Sequence, residues 1–380
     1  MRHVCAVLPS SHLRFSALLP LLLLLCGGAQ PVHGKQVSLS NVALPRDTGG
    51  HLLYTGEASA LAHNGTYYLY FNNWGGCTGV DCCPTAKGCA DCCYTKAPFA
   101  DPCVYTNNHS VVVYRTADFA TFEYAGEALP RARRADGIEF RPCVVYNART
   151  RLFVMWYEDR HSGQEGYAVA TSPTAEGPFA TVSNSTKMAG KGRRDGAGDF
   201  NILVDDDGAA YHVRDGFVVV RLSDDYLSST TQFGYLHTPK PSEGPVFFKR
   251  GGLYYILPGT GCCGCRGGAS IYVFTATAPL GPYTFRGEIG SNQTAAAPLD
   301  AHSPYNYVTR AQASSIVAVP SSAAPGAAVQ YLWLGNQWVT STEPGRPRNH
   351  DLLYWTVLNF TANGSIAQVQ RQDETVISVA

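Results

Sequence analysis

Four polar side chains suited to acid–base or hydrogen-bonding chemistry stand directly before apolar runs that are typical of strands: Glu57, Asp199, Glu243 and Gln312. Glu243 is the clearest case, because a Gly-Pro pair and two apolar runs joined by Gly-Gly follow it, which predicts a β-hairpin with an acid at its entrance. A carboxylic acid fixed there can donate a proton inside a pocket built from a sheet. A solvated Glu before a turn would give the same local pattern.

These side chains can meet only if their strands converge, and a repeated strand pattern fills the chain beyond residue 34. About five copies of a hairpin followed by further short strands recur at intervals of roughly 50 to 75 residues. No amphipathic helical periodicity of useful length is present. The pattern favours an all-β fold, a five-bladed β-propeller, over a β-sandwich or two stacked barrels. Propeller strands converge on a central channel, so the inner-strand ends would meet at one face.

The first 34 residues are typical of a secretory signal peptide. Arg2, His3 and Arg14 supply the positive region, residues 15–26 form an apolar run with five consecutive leucines, and small residues follow. The run is too short for a comfortable membrane span, although an uncleaved anchor is an alternative, and no later stretch could cross a bilayer. We therefore expect a domain from residue 35 to 380 in a secreted protein that is extracellular or resident in the secretory pathway.

Charge and glycosylation signals agree with that location. The chain has 29 basic and 29 acidic residues and a formal net charge of zero, so it lacks the basic field that a nucleic-acid partner requires. Six Asn-X-Ser/Thr sequons, from Asn64 to Asn363, predict glycans on surface loops.

Cysteine is concentrated in one part of the chain. Eleven of the thirteen cysteines lie beyond the leader, seven of them in a Cys-rich segment at about residues 75–105. In a secreted protein we expect disulfides, and a metal site built on Cys89, Cys92 and Cys93 is the alternative. The Cys-rich segment is predicted to be a loop inserted in the first blade. Cys143 falls in an apolar strand pattern and is the candidate for a free thiol.

Four pairs of motifs follow one another in an informative order. They are Phe140-Arg141-Pro142-Cys143 with residues 153–156, Gly198-Asp199-Phe200 with residues 204–211, Glu243-Gly244-Pro245 with residues 249–255, and Ala311-Gln312-Ala313-Ser314 with residues 334–338. Together they resemble glycoside hydrolase family 43, a family of five-bladed propellers, and most closely its exo-β-1,3-galactanase branch. The resemblance covers nearly the whole chain beyond the leader. It implies hydrolysis of an oligo- or polysaccharide that contains galactose or arabinose.

The same resemblance implies inversion at the anomeric carbon, with an acid and a base on opposite sides of the scissile bond. Glu243 is then the general acid and Asp199 the carboxylate that tunes its pKa. Two residues could serve as the base. Glu57 lies ten residues before Tyr67-Tyr68, where most of the family has an Asp, and Gln312 matches the glutamine thought to act in the galactanase branch.

The candidates for substrate binding are Trp74, Glu139, Arg141, Tyr255 and Trp338. Trp74 ends an inner hairpin beside the Cys-rich segment and is the expected sugar platform. The branch carries a substrate-binding Glu before Arg-Pro, but Phe140 stands there, and Glu139 is one residue early, which reverses the face of a strand.

Cys262, Cys263 and Cys265 replace a Gly-Trp of the branch. We expect disulfides to link their loop to the Cys-rich segment, so that both form a wall of the pocket.

No cofactor or catalytic metal is implied. A structural Ca²⁺ in the acidic run Asp205-Asp206-Asp207 is possible but not indicated, because an Asp-Gly turn between strands explains the run more simply.

Two other functions fit the sequence. The altered position at Phe140 and the Cys-rich wall allow a catalytically inactive glycan-binding propeller, and the cysteines allow an extracellular interaction module on a propeller scaffold. Retention of Asp199 with Glu243 favours the enzyme. If Glu57 and Gln312 both pointed away from Glu243, the binding protein would be favoured.

Overall fold

The computed structural model describes residues 34–74, 109–134, 138–161, 164–191, 198–260, 267–291, 307–341 and 349–380. Within these ranges the regular secondary structure is β-strand, apart from a 3-10 turn at Arg131–Arg133, and turns and irregular segments connect the strands. The predicted signal peptide, the Cys-rich segment and Cys262, Cys263 and Cys265 lie outside the described residues. None of the described helical structure is long and apolar enough to cross a bilayer.

The strands form five antiparallel sheets in which successive strands pair in chain order. A short two-stranded sheet joins β1 (Lys35–Ser40) to β21 (Glu374–Val379). The first sheet contains β2 (Gly56–His63), β3 (Thr66–Asn73), β4 (Ser110–Thr116) and β5 (Glu123–Leu129), and the second contains β6 (Ile138–Asn147), β7 (Leu152–His161), β8 (Gln164–Ser172) and β9 (Ala180–Thr186). The third contains β10 (Phe200–Val204), β11 (Ala210–Arg214), β12 (Val218–Leu222) and β13 (Ser229–Tyr235), and the fourth contains β14 (Glu243–Arg250), β15 (Leu253–Gly259), β16 (Tyr272–Ala276) and β17 (Thr284–Glu288). The fifth contains β18 (Gln312–Pro320), β19 (Val329–Gln337) and β20 (Leu352–Val357).

The first strand of each sheet lies innermost, and these strands form a closed ring. β2 contacts β6, β6 contacts β10, β10 contacts β14, β14 contacts β18, and β18 returns to β2. The ring confirms the predicted all-β five-bladed propeller and excludes a sandwich or stacked barrels. A channel of about 360 Å³ runs between the inner strands and is lined by polar side chains such as Ser59 and Asn201 and by apolar ones such as Ile202 and Val317. In the chain, the Cys-rich segment falls between β3 and β4.

The hydrophobic core is divided into clusters, one at each interface between successive blades. Trp156 fills the interface of the second and third blades, where its indole N–H donates to the carbonyl of Tyr226 at 2.8 Å. Each buried side chain of this size contributes about 1.5–3 kcal/mol, so these interfaces are the main force that holds the blades together.

Tyr255 belongs to this core, and its prediction as a substrate-binding residue is wrong. Its ring is 0% exposed and stacks on Phe248 with 4.9 Å between ring centroids. Its hydroxyl donates to the carbonyl of Gly364 at 2.8 Å. The ring therefore packs between the fourth and fifth blades, several residues along β15 from the end that pairs with Glu243.

The acidic run Asp205-Asp206-Asp207 forms the turn between β10 and β11. The ammonium of Lys249 lies 2.5 Å from Asp205 and 2.9 Å from Asp206, and the hydroxyl of Tyr254 donates to Asp205 at 2.5 Å. The positive charge of Lys249 therefore offsets part of the negative charge of this acidic run. In the described part of the chain, no group of three or more His, Cys, Asp or Glu side chains is arranged to hold a metal ion.

Asn41 joins the two chain ends to the fifth blade. Its fully buried amide donates to the carbonyls of Trp355 and Gln372, both at 3.1 Å, and accepts the N–H of Trp355 at 2.7 Å. Because β1 and β21 pair only with each other, this side chain is the main polar connection from their sheet to β20.

We predict that Asn41→Ala lowers the free energy of unfolding by about 3 kcal/mol, because it strands several buried backbone groups without partners. Urea unfolding measures the change. Val42→Ala is the matched control, since Val42 is 52% exposed, and should change stability by less than about 0.5 kcal/mol. Equal stability of the two variants would show that the Asn41 contacts do not hold the ends in place.

Candidate active site

The inner strands begin irregularly, and the irregularity directs polar side chains to the axis. β2, β6, β14 and β18 each carry a register shift within their first few residues. Glu57, Arg141 and Gly244 adopt positive φ angles of 40°, 55° and 60° at three of these bulges. An L-residue in this conformation costs about 1–3 kcal/mol, so Glu57 and Arg141 must be held there by their contacts.

Arg141 provides most of those contacts and links four blades. Its guanidinium donates to Asp199 Oδ2 at 2.7 Å and to the carbonyl of Ala313 at 2.6 Å. Its backbone N–H donates to Glu57 Oε2 at 2.8 Å, and its Nε lies 3.8 Å from Glu57 Oε1. The residue is only 4% exposed. It was predicted to bind substrate, but its terminal nitrogens are bonded to protein groups, so it organises the site.

Glu57 is buried beside this guanidinium. Burial raises the pKa of its carboxyl from 4.5 to about 7, the attraction of Arg141 opposes the rise, and the charges of Asp199 and Glu158 add to it. The first blade therefore supplies a carboxyl group that changes its protonation state near neutral pH.

Gln312 is fixed at both ends of its amide. Its Nε2 donates to Asp199 Oδ2 at 3.0 Å, and its Oε1 accepts the indole N–H of Trp338 at 3.0 Å. Because an indole nitrogen can only donate, this bond defines which end of the amide is the oxygen. Trp338, predicted to bind sugar, is 3% exposed and instead positions Gln312.

Glu243 begins β14 and is half-buried, so its carboxyl remains accessible. Gly244, which follows it, lies against Gln312 and Arg141: a Cβ there would come within 3.2 Å of Gln312 Cγ and 3.3 Å of an Arg141 nitrogen. The Glu243 charge also raises the pKa values of Arg141 and Asp215. The structure therefore brings Glu57, Asp199, Glu243 and Gln312 together at one end of the axis, as the sequence predicted.

Asp215 is a further carboxyl of this cluster that the sequence analysis missed. It follows β11, and its N–H donates to the carbonyl of Asp199 at 2.9 Å. Gly198 allows this approach, because a Cβ there would lie 2.7 Å from the Cβ of Asp215. Burial, Asp199 and Glu243 hold the pKa of Asp215 well above its ordinary value. The hairpin register was the available signal: Phe200 pairs with Arg214, which sets the next pair, Asp199 and Asp215, side by side.

Glu158 is a second carboxyl that sequence reasoning missed. It lies on β7 opposite Phe140, is 1% exposed, and its charge raises the pKa of both Glu57 and Asp215. A carboxyl is therefore present near the position where Phe140 replaces the family's Glu, but it comes from the neighbouring strand.

Two more predicted sugar contacts are interior residues. Trp74 is 1% exposed, with ring centroids 5.2 Å from His109 and 5.3 Å from Phe140. Glu139 is 0% exposed, and its carboxyl lies 3.7 Å from His109 Nε2. Burial raises the pKa of Glu139 to about 8. The bulge occurs after Glu139, at Arg141, so it turns Arg141 to the axis and leaves Glu139 in the core.

Comparison with known proteins identifies this class of site. The model for glycosyl hydrolases family 43 matches residues 101–321, more than half of the 380-residue chain. The chain therefore belongs to glycosyl hydrolase family 43. The matched family is one of glycosyl hydrolases, so hydrolysis of an O-glycosyl bond is the reaction against which the site is assessed below.

Solved structures with the same fold include a β-1,3-galactosidase and an exo-β-1,3-galactanase. A family 43 β-1,3-galactosidase, BT3683, solved with galactodeoxynojirimycin, has a TM-score of 0.66 and 20% identity over 88% of this chain and 99% of its own. An exo-β-1,3-galactanase from Clostridium thermocellum has a TM-score of 0.66 and 21% identity over 90% of this chain and 68% of its own.

One curated protein shows similarity at the level of sequence. A β-D-galactofuranosidase of Aspergillus niger is 32% identical over 122 residues, which span 31% of this chain and 36% of that protein. The match therefore spans about a third of the length of this relative.

The pKa of Glu57 predicts how stability depends on pH. Between pH 4.5 and about 7 the folded protein keeps a proton that the unfolded chain has released, so stability is lost as pH rises through this window. Glu57→Gln keeps an acceptor for Arg141 but removes the titration. Relative to wild type, the variant should gain about 3 kcal/mol across the window, since each pKa unit is worth about 1.4 kcal/mol.

Urea unfolding at the two ends of the window measures this gain. The control is Glu123→Gln, because Glu123 is exposed and its pKa is lowered by Arg115. That variant should not gain stability as pH rises. Parallel pH profiles for wild type and Glu57→Gln would contradict the burial assigned to Glu57.

Proposed function

We propose that this enzyme cleaves galactose- or arabinose-containing glycans resembling β-1,3-galactan, with inversion, outside the cell or in the secretory pathway. The observation that carries the proposal is the convergence of Glu243, Asp199, Glu57 and Gln312 around Arg141 in a family 43 propeller. The names of the structural neighbours, a β-1,3-galactosidase and an exo-β-1,3-galactanase, support galactose as the sugar. The apolar leader at residues 1–34 supports the location.

Glu243 is assigned as the general acid that protonates the departing glycosidic oxygen. It is half-buried at the start of an inner strand, so a substrate can reach it, and bulge contacts at Gly244 fix its backbone. Asp199 is assigned to tune and orient this acid. Two donors, Arg141 and Gln312, hold its carboxylate in place while 15% of its side chain remains exposed.

Glu57 is assigned as the base that activates water, in preference to Gln312. A general base works best when its pKa lies near the working pH, and the pKa of Glu57 is about 7. The amide oxygen of Gln312 already accepts the Trp338 N–H, so protonating it would cost that bond. Gln312 is a positioning residue in this assignment. Arg141 bonds to both Glu57 and Asp199, and Asp199 bonds to Gln312. Both candidates for the base therefore belong to the cluster beside Glu243, which supports catalysis over a protein that only binds glycans.

The role of Glu243 is tested with two substrates that differ in leaving group. Glu243→Gln should lower kcat/KM on β-1,3-galactan by about 10²–10⁴-fold, the usual contribution of a general acid. The dinitrophenolate group of a dinitrophenyl galactoside departs without protonation, so the variant should lose much less activity on that substrate. Glu288→Gln, on an outer strand of the same blade, is the control and should retain activity. Equal losses on both substrates would contradict the acid role, and no turnover of any galactoside or arabinoside by wild type would contradict the proposed substrate.

The base is tested by azide rescue. Glu57→Ala leaves space where the water was activated, so azide should restore turnover and give a glycosyl azide of inverted configuration, which NMR identifies. Gln312→Ala should be slower than wild type without such rescue. If azide rescued Gln312→Ala and not Glu57→Ala, Gln312 rather than Glu57 would be the base. A product that retains the anomeric configuration of the substrate would contradict inversion.

A further inference from the structure

A second cavity lies on the first blade, formed by residues that take no part in the carboxyl cluster. It has a volume of about 590 Å³ and is lined by Arg46, Asp47, Gly50, His51, Leu52, Tyr54, Tyr114, Tyr124 and His350. Five of these side chains are aromatic, three tyrosines and two histidines, and the cavity also has one arginine and one aspartate. Small-molecule sites typically have about 300–1,000 Å³ and combine apolar walls with a few fixed polar groups.

The aromatic wall is preorganised. Tyr54 stacks on His350 with 5.2 Å between centroids and 25° between planes, and the Tyr54 backbone N–H donates to the Tyr114 hydroxyl at 3.1 Å. His350 Nδ1 lies 2.8 Å from the carbonyl of Leu53. Tyr124 packs on Tyr114 with 5.5 Å between centroids, yet it is 43% exposed. A ligand would therefore meet rings whose positions are already set.

The polar wall is a tight turn in which Asp47 is buried, whereas the His51 side chain is 82% exposed. Asp47 accepts the N–H of His51 at 2.9 Å, and its side chain is only 7% exposed. Arg46 donates to the carbonyl of Gly50 at 2.7 Å, which closes the turn. Backbone pairing of Asp47 with Phe122 anchors this turn to the edge of the first blade. The turn thus holds a carboxylate, an imidazole and a guanidinium beside the rings.

We propose that this cavity is a second saccharide-binding site, which holds a neutral galactose-type residue of a glycan chain away from the catalytic carboxyls. The axial hydroxyl of galactose leaves the hydrogens of C3, C4 and C5 on one face, and such a face packs on an aromatic ring. The opposite edge carries hydroxyls, which pair with a carboxylate and with imidazole or guanidinium donors. The site goes beyond the proposed reaction, because it binds a chain without cleaving it.

Affinity electrophoresis of the full chain through gels containing soluble β-1,3-galactan tests the proposal. The parent protein is Glu243→Gln, so that the polymer is not consumed. Tyr124→Ala in this parent should weaken retardation by about tenfold, the loss that truncation of an aromatic anchor commonly causes. Tyr124→Phe keeps the ring and should bind within about twofold of the parent. Tyr235→Ala is the matched control, since Tyr235 is also 43% exposed but lies on the third blade.

The outcomes separate the cavity from the reaction. In an otherwise wild-type chain, Tyr124→Ala should leave kcat/KM for a dinitrophenyl galactoside unchanged, because that substrate occupies only the catalytic site. Circular dichroism of each variant verifies its folding. A parent that galactan does not retard, or equal retardation of the parent and Tyr124→Ala, overturns the second site. Neither result bears on the acid role of Glu243, which hydrolysis measures separately.

Discussion

The buried guanidinium of Arg141 is the interaction on which the catalytic arrangement depends. A propeller brings five inner strands together but gives no reason for their first residues to adopt one geometry. Arg141 supplies that reason, because it bonds at once to Glu57 of the first blade, Asp199 of the third and Ala313 of the fifth. Its own positive φ is the local cost of this position.

The same guanidinium sets the electrostatics of the site. Five carboxyl groups lie in this cluster, those of Glu57, Glu158, Asp199, Asp215 and Glu243, and the positive charge of Arg141 lowers the pKa of Glu57 and of Asp215 against the other effects. Carboxyls that share one cation in a poorly solvated space cannot all ionise, so some must keep protons near neutral pH. The pKa of Glu57 and of Asp215 is raised mainly because burial disfavours the charged form, and the charges of the neighbouring carboxylates add to the rise. Inverting glycosidases need two carboxyls in different protonation states, and this imbalance provides a means to separate them.

Much of the fold could be predicted from the sequence, because each blade is a local pattern of hairpins and turns. The positions of Glu57, Asp199, Glu243 and Gln312 at inner-strand starts followed from the same pattern. The burial and the contact partners of these side chains could not be predicted from that pattern. Asp215 joins the site through pairing across a hairpin, and the sequence read along one strand does not show that partner.

The aromatic candidates show the other limit. Trp74 and Tyr255 are aromatic residues of the kind that stack on sugars. The wedge-shaped interfaces between blades are also filled by large aromatic side chains, so the sequence alone does not distinguish a sugar contact from a core residue. The motif around Arg141 predicted a substrate-binding residue, whereas its bonds to three other blades depend on a bulge in β6. Positive φ at a non-glycine residue is set by tertiary contacts, so the bulge could not be inferred from local preference.

A crystal structure of the Glu243→Gln variant with a β-1,3-linked galactose oligosaccharide would test the central claim most directly. The account predicts that the scissile glycosidic oxygen lies within about 3.2 Å of the side chain at position 243. It also predicts the anomeric carbon between that side chain and Glu57, with Arg141 still bonded to Asp199. A productive oligosaccharide bound away from this cluster, with its glycosidic oxygen out of reach of position 243, would contradict it.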